Sequence, residues 1–117
     1  MSNYMKVSLE NAPRVELHDK LGLTGAEISI NTLPAGECVP FIHSHKQNEE
    51  IYYILSGSGK VVIDSEEVDL VSGDWLKISP SAKRQFFASK DNSISYICIQ
   101  TKENSLEEFT ANDAIIK

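Results

Sequence analysis

The sequence predicts an all-β protein, one antiparallel sandwich or barrel, on three observations. Short β-rich runs recur along the chain, separated by brief stretches rich in Ser, Gly, Asp, Asn or Pro. No segment of useful length carries a helical period. A length of 117 residues, 41% of them hydrophobic, suffices for one core and leaves no room for a second domain. The expected division is an N-terminal strand or arm over residues 1–24, a barrel over 25–101 and a tail over 102–117.

In order, Lys6 to Leu17 is weakly strand-like and broken at Pro13, which suits an edge strand or one that crosses to a second copy. His18 to Gly22 reads as a turn, with His18 alone and exposed to solvent. Ala26 to Leu33 alternates, Ile28 and Ile30 on one face against Glu27, Ser29 and Asn31 on the other, the pattern of a half-buried strand ended by Pro34-Ala35-Gly36. Ile51 to Leu55 is a β-rich run that Ser56-Gly57-Ser58-Gly59 should close as a hairpin turn. Further strands are expected over Lys60 to Asp64, Val68 to Val71, Leu76 to Ile78, Arg84 to Ala88 and Ile94 to Thr101. Ser105 and Glu108 have the spacing of a capping box, predicting one helical turn, and Ala114-Ile115-Ile116 is apolar enough to dock.

A formal net charge of -6 argues against nucleic acid, whose phosphates demand a basic face, and against an anionic membrane surface. The N-terminal residues lack an apolar leader, and no apolar run approaches the ~20 residues of a membrane helix, so a soluble, cytoplasmic protein is expected. The two cysteines, Cys38 and Cys98, lack a Cys-x-x-Cys spacing and read as small buried hydrophobes.

The chemistry concentrates between Gly36 and Gly59. Side chains two apart on a strand share a side, about 6.6 Å apart, so His43 and His45 can aim both imidazoles at one ion. Glu49 and Glu50 follow at once, and either would complete a set of two histidines and one carboxylate.

This stretch resembles the first motif of the cupin superfamily: a glycine, a His-x-His, a glutamate four or five residues on and a glycine seven beyond it. Gly57 lies seven after Glu50, which makes Glu50 the first choice of ligand and Glu49 the second. Gly36 stands one residue further from His43 than the usual pattern has it. Gly73-Asp74-Trp75-Leu76-Lys77-Ile78-Ser79-Pro80 resembles the second motif. The resemblance implies a double-stranded β-helix, the cupin or jelly-roll barrel, and a divalent metal such as Fe, Mn, Ni or Zn.

In the family a further histidine, four residues after that proline, is usually the fourth ligand. Here the position holds Arg84, and the glycine expected near Ser81 or Ala82 is missing. A guanidinium has no lone pair to give and stays charged, so Arg84 cannot ligate a metal. Either it grips an anionic group of a substrate beside a metal held by His43, His45 and Glu50, or it pairs with Glu50 in a metal-free pocket. If Glu50 faces the pocket, strand parity brings Tyr52 and Ile54 with it, and Phe86 shares the face of Arg84. On the last long strand Tyr96, Cys98 and Gln100 alternate with Ile97 and Ile99, and either set can face inward; Tyr96 and Cys98 are candidates near the metal.

Two functions are consistent with these residues: a metal-dependent enzyme acting on a small anionic molecule, such as a dioxygenase or an isomerase, or a non-catalytic binding or sensing protein without metal. A homodimer is also expected. Leu76 and Ile78 fill the barrel, leaving Trp75 outside, and the resemblance implies barrel-to-barrel pairing in which Lys6 to Leu9 could be exchanged.

Overall fold

The computed structural model describes residues 3–117, so the first two positions of the expected arm lie outside the described residues. The secondary structure is strand β1 (Arg14–Glu16), the one-turn helix α1 (His18–Leu21), and strands β2 (Glu27–Leu33), β3 (Asn48–Ile63), β4 (Glu66–Val71), β5 (Trp75–Ile78), β6 (Arg84–Ala88) and β7 (Ile94–Lys102). All pairings are antiparallel.

The 16-residue β3 organises the fold. Its first part pairs with β5 on one side and β7 on the other, and its last six residues pair with β4 and β6. One strand therefore serves two sheets. The principal ladder runs β1-β2-β7-β3-β4, so it ends at β1 and β4 and does not close into a ring. Ile54, Val61, Leu70, Ile78, Phe86 and Ile94 belong to the apolar core where the two sheets meet.

The hairpin expected at Ser56 to Gly59 is absent, because β3 runs straight through it. Its glycines serve close approach instead: a Cβ at Gly57 would collide with the carbonyl oxygen of Ser93, and one at Gly59 with that of Phe87. Gly57 also has a φ of 79° and follows a register shift against β7 between Ile54 and Ser56, which bends the strand from one sheet toward the other. The real turn is Asp64-Ser65, with φ 48° and 73°, a left-handed pair that joins β3 to β4.

Other expectations change locally. Of the weak N-terminal run only β1 pairs, and residues 6–9 take no regular structure. His18 to Gly22 is a helical turn closed by Gly22 in the left-handed region, and His18 is exposed as expected. No helix starts at Ser105, whose hydroxyl donates back to the Lys102 carbonyl at 2.6 Å rather than capping forward; a 3-10 turn forms at Thr110–Asn112. Ile115 and Ile116 do not dock, being 82% and 94% exposed. Cys98 is buried, whereas Cys38 is exposed.

Candidate metal centre

The His-x-His pair lies not in a regular strand but in the irregular segment between β2 and β3. Pro34 and Pro40 lack backbone donors and interrupt any ladder there. The segment is nonetheless pinned along β6. Val39 donates to Phe86, His43 and Arg84 exchange both backbone bonds at 3.2 and 2.9 Å, and His45 donates to Pro80 at 2.7 Å. Those bonds hold both imidazoles over the start of β3, where Glu50 points inward.

His43, His45 and Glu50 come together as expected, each offering a ligand atom within 4.8 Å of those of the other two. Glu50 is 2% exposed. Its Oε1 accepts from the Tyr52 hydroxyl at 2.5 Å and from Arg84 Nη1 at 3.0 Å. Its Oε2 lies 3.0 Å from His45 Nε2 and accepts from Cys98 Sγ at 3.3 Å. A carboxylate only accepts, so the proton of the His45 contact belongs to Nε2. His43 Nε2 stands 3.9 Å from Oε1, and among the described residues no partner reaches its buried Nδ1. Glu49 alternates to the opposite face and is not in the group.

This donor set fits a divalent ion. Two imidazoles and a carboxylate suit borderline metals, and the 3.0 Å between His45 Nε2 and Glu50 Oε2 is the separation two ligands show when each is ~2.0–2.2 Å from one ion. A metal would take the place of the Nε2 proton there. Tyr52 and Arg84 would keep Oε1 oriented from behind.

Arg84 is 0% exposed and absent from the cavity wall, its Nη2 donating to the Ser79 carbonyl at 2.5 Å. Of the two readings of this residue, the ion pair with Glu50 is the arrangement found. The grip on a substrate anion is not, because no part of the guanidinium reaches the cavity.

The cavity beside the group measures about 520 Å³, the size of a small-molecule site. Tyr52, Phe86 and Tyr96 line it as an aromatic cluster, with ring centroids 4.5 Å apart for Tyr52 and Phe86 and 4.7 Å for Phe86 and Tyr96. On β7 the inward set is Tyr96, Cys98 and Gln100, which settles the parity left open by the sequence. Burial first, then the neighbouring Cys98 and Glu50, pushes the Tyr52 hydroxyl far above its usual range, so it stays a neutral donor. Tyr96 is shifted the same way, mainly by burial. Burial and then Glu50 push the Cys98 thiol up to about 12. His43 is shifted down, by desolvation most and by Arg84, His45 and Arg14 further, against the opposing pull of Glu50. That direction favours the neutral imidazole, in which one nitrogen keeps its proton and the other offers the lone pair a metal needs.

Sequence reasoning missed the opposite wall. Arg14, Ser29 and Asn31 line the cavity, and Ser29 and Asn31 are 2% and 7% exposed, although the alternation of β2 suggested that their side faced water. Pairing with β7 was the signal: Ser29 lies opposite Cys98 and Asn31 opposite Tyr96, so one strand's parity fixes the other's.

Comparison with known proteins agrees with this architecture. A cupin protein of Bacteroides fragilis is 57% identical, with a TM-score of 0.97 over 100% of this chain and 99% of that one. An uncharacterized protein of Methanocaldococcus jannaschii is 30% identical over 67 residues, 57% of this chain and 54% of the relative, so the match spans about half of that protein's length. A protein of Thermotoga maritima described as a predicted oxalate decarboxylase shares the fold, with a TM-score of 0.60 and 23% identity over 64% of each chain. With the cupin domain model matching residues 29–100, most of the sheet and all three candidate ligands, the chain belongs to the cupin family.

Proposed function

We propose that this cupin binds a divalent metal through His43, His45 and Glu50 and acts on a small anionic organic molecule in the adjoining cavity. The observation that carries the reading is the convergence of the three ligand atoms, within 4.8 Å of one another, on the wall of a cavity of about 520 Å³. Bound there, with three protein ligands and open positions, the ion would supply either iron(II) oxygen chemistry or Lewis-acid polarisation of a carbonyl. The protein's own residues do the rest. Tyr52 and Arg84 fix the carboxylate, and the aromatic cluster of Tyr52, Phe86 and Tyr96 keeps that side of the cavity dry. The proton on His45 Nε2 is the one displaced on metal uptake.

A second reading, a ligand-binding cupin without metal or turnover, has its own support. Glu50 already accepts on both oxygens, and the permanent charge of Arg84 3.0 Å from Oε1 opposes a dication. Elemental analysis of protein purified without a polyhistidine tag separates the two. The metal reading expects near-stoichiometric Fe, Mn, Ni or Zn that His43→Ala and His45→Ala each abolish; metal-free protein that takes up none of these ions on dialysis would overturn it.

We further propose that two copies associate through the outer face around Trp75, which is 67% exposed and packs on Tyr53 at 4.4 Å between ring centroids.

A further inference from the structure

Arg14 is the one permanent cation on the cavity wall among the described residues. It sits on β1, directly opposite Asn31 of β2, and its Nη1 donates to Asn31 Oδ1 at 2.6 Å. Asn31 Nδ2 in turn donates to Ser29 Oγ at 3.0 Å. A polar ladder thus descends the inward face of β2 from the mouth of the cavity. Burying such groups on a face that could be filled with apolar side chains costs free energy, and the bonds within the ladder only partly offset it. The remaining surface of the ladder faces the cavity.

We propose that Arg14, positioned by Asn31 and Ser29, is the anion-recognising residue of this site: it takes the carboxylate or phosphate of a small ligand whose other end lies against His43, His45 and Glu50. The assignment rests on the reading of the cavity as a small-anion site and replaces the part that Arg84 cannot play from behind Glu50. Three observations support it. The chain's net charge of -6 repels an anion, so recognition needs a local cation. Arg14 is available, its side chain being 53% exposed, whereas Arg84 is not. Its other neighbour, Glu16, stands 3.6 Å from Nε and is itself 59% exposed, a rim pair of the weak kind that leaves Nη2 and the outer edge of the fork free to bind an oxyanion.

Malonate and inorganic phosphate serve as probes, titrated by NMR into metal-free and zinc-loaded protein while the backbone amides of residues 14, 29 and 31 are followed. Saturable shifts with wild type, at least tenfold weaker binding with Arg14→Gln and partial rescue with Arg14→Lys support the proposal. Malonate alone identifies a carboxylate as the group taken, and phosphate alone a phosphoryl group. Binding to Arg14→Gln at wild-type strength, or no response to either probe, overturns it. Zinc uptake is measured on the same wild-type sample. If neither zinc nor Fe, Mn or Ni is taken up, the metal reading fails, and the titration of the metal-free protein still decides the role of Arg14.

Discussion

Around the cavity the inward face of β2, β7 and the first half of β3 presents Ser29, Asn31, Cys98, Gln100 and Glu50 among the rings of Tyr52 and Tyr96, whereas the outward face of the same strands presents the half-buried Ile28, Ile30, Ile97, Ile99 and Ile51. The register makes the outward set continuous: Ile28 lies opposite Ile99 and Ile99 opposite Ile51, while Ile30, Ile97, Tyr53 and Trp75 form a second row. An ordinary half-buried antiparallel sheet has the reverse polarity, apolar toward the core and polar toward water. The inversion has a physical reason on each side. Inside, most polar groups bond one another and line a cavity, with His43 Nδ1 and Arg84 Nε left unpartnered among the described residues. Outside, the isoleucines are half-buried and Trp75 is 67% exposed beside them, and a second copy is the proposed cover.

The inner face is broken most severely at Glu50. Glu50→Ala strips Arg84, which has no exposure to solvent, of its counter-charge, and the expected loss of stability is about 3–5 kcal/mol. Urea denaturation reads it directly. Replacing both residues, as in Glu50→Leu with Arg84→Met, should recover much of the loss, since no charge is then buried alone. A loss under about 1 kcal/mol in Glu50→Ala would show that water reaches Arg84 and that the pair does not organise the face.

The outer face is tested at Trp75. Light scattering at micromolar concentration should give the mass of two chains, and Trp75→Ser should weaken association by about 30-fold or more, the ~2 kcal/mol of an aromatic anchor at the centre of an interface. A wild-type mass of one chain would end the dimer proposal and leave the inverted polarity without a cover.

Legibility in the sequence followed the same division. Parity along β3 and β6 was readable once Glu50 was placed in the pocket, because residues two apart on a strand share a face, which brings Tyr52 and Ile54 with Glu50 and Phe86 with Arg84. The His-x-His pair and Glu50 were readable because metal chemistry constrains residue type and spacing together. The polar wall was not. Ile28 and Ile30 look like core to any rule that puts apolar groups inside, and only the cross-strand partners Cys98 and Tyr96 reveal the reversal. Gly57 and Gly59 were misread for a different reason: a glycine that admits a turn and one that admits a close backbone look identical in sequence, and which it is depends on Ser93 and Phe87 more than 25 residues away.

The smallest expected effect contrasts the two cysteines. Cys98 stands on the inner face with its thiol pushed up to about 12 by burial and by Glu50, while Cys38 is exposed on the segment that leads to His43. At pH 8 such a thiol is held almost wholly in the protonated form, and the thiolate is the reactive one. A chromogenic disulfide reagent should therefore label one thiol of the folded protein rapidly and the second only on unfolding in urea. The linkage has a definite sign. A thiol whose folded value is raised from 9.0 contributes stability that is fully present below pH 9 and is lost as pH rises toward 12. Metal-free protein should accordingly lose stability progressively above pH 9, and Cys98→Ser, which hardly titrates in that range, should flatten the profile. Two thiols labelled at equal rates in the folded state would place Cys98 in contact with water and show that the inner wall opens far more readily than its hydrogen bonds suggest.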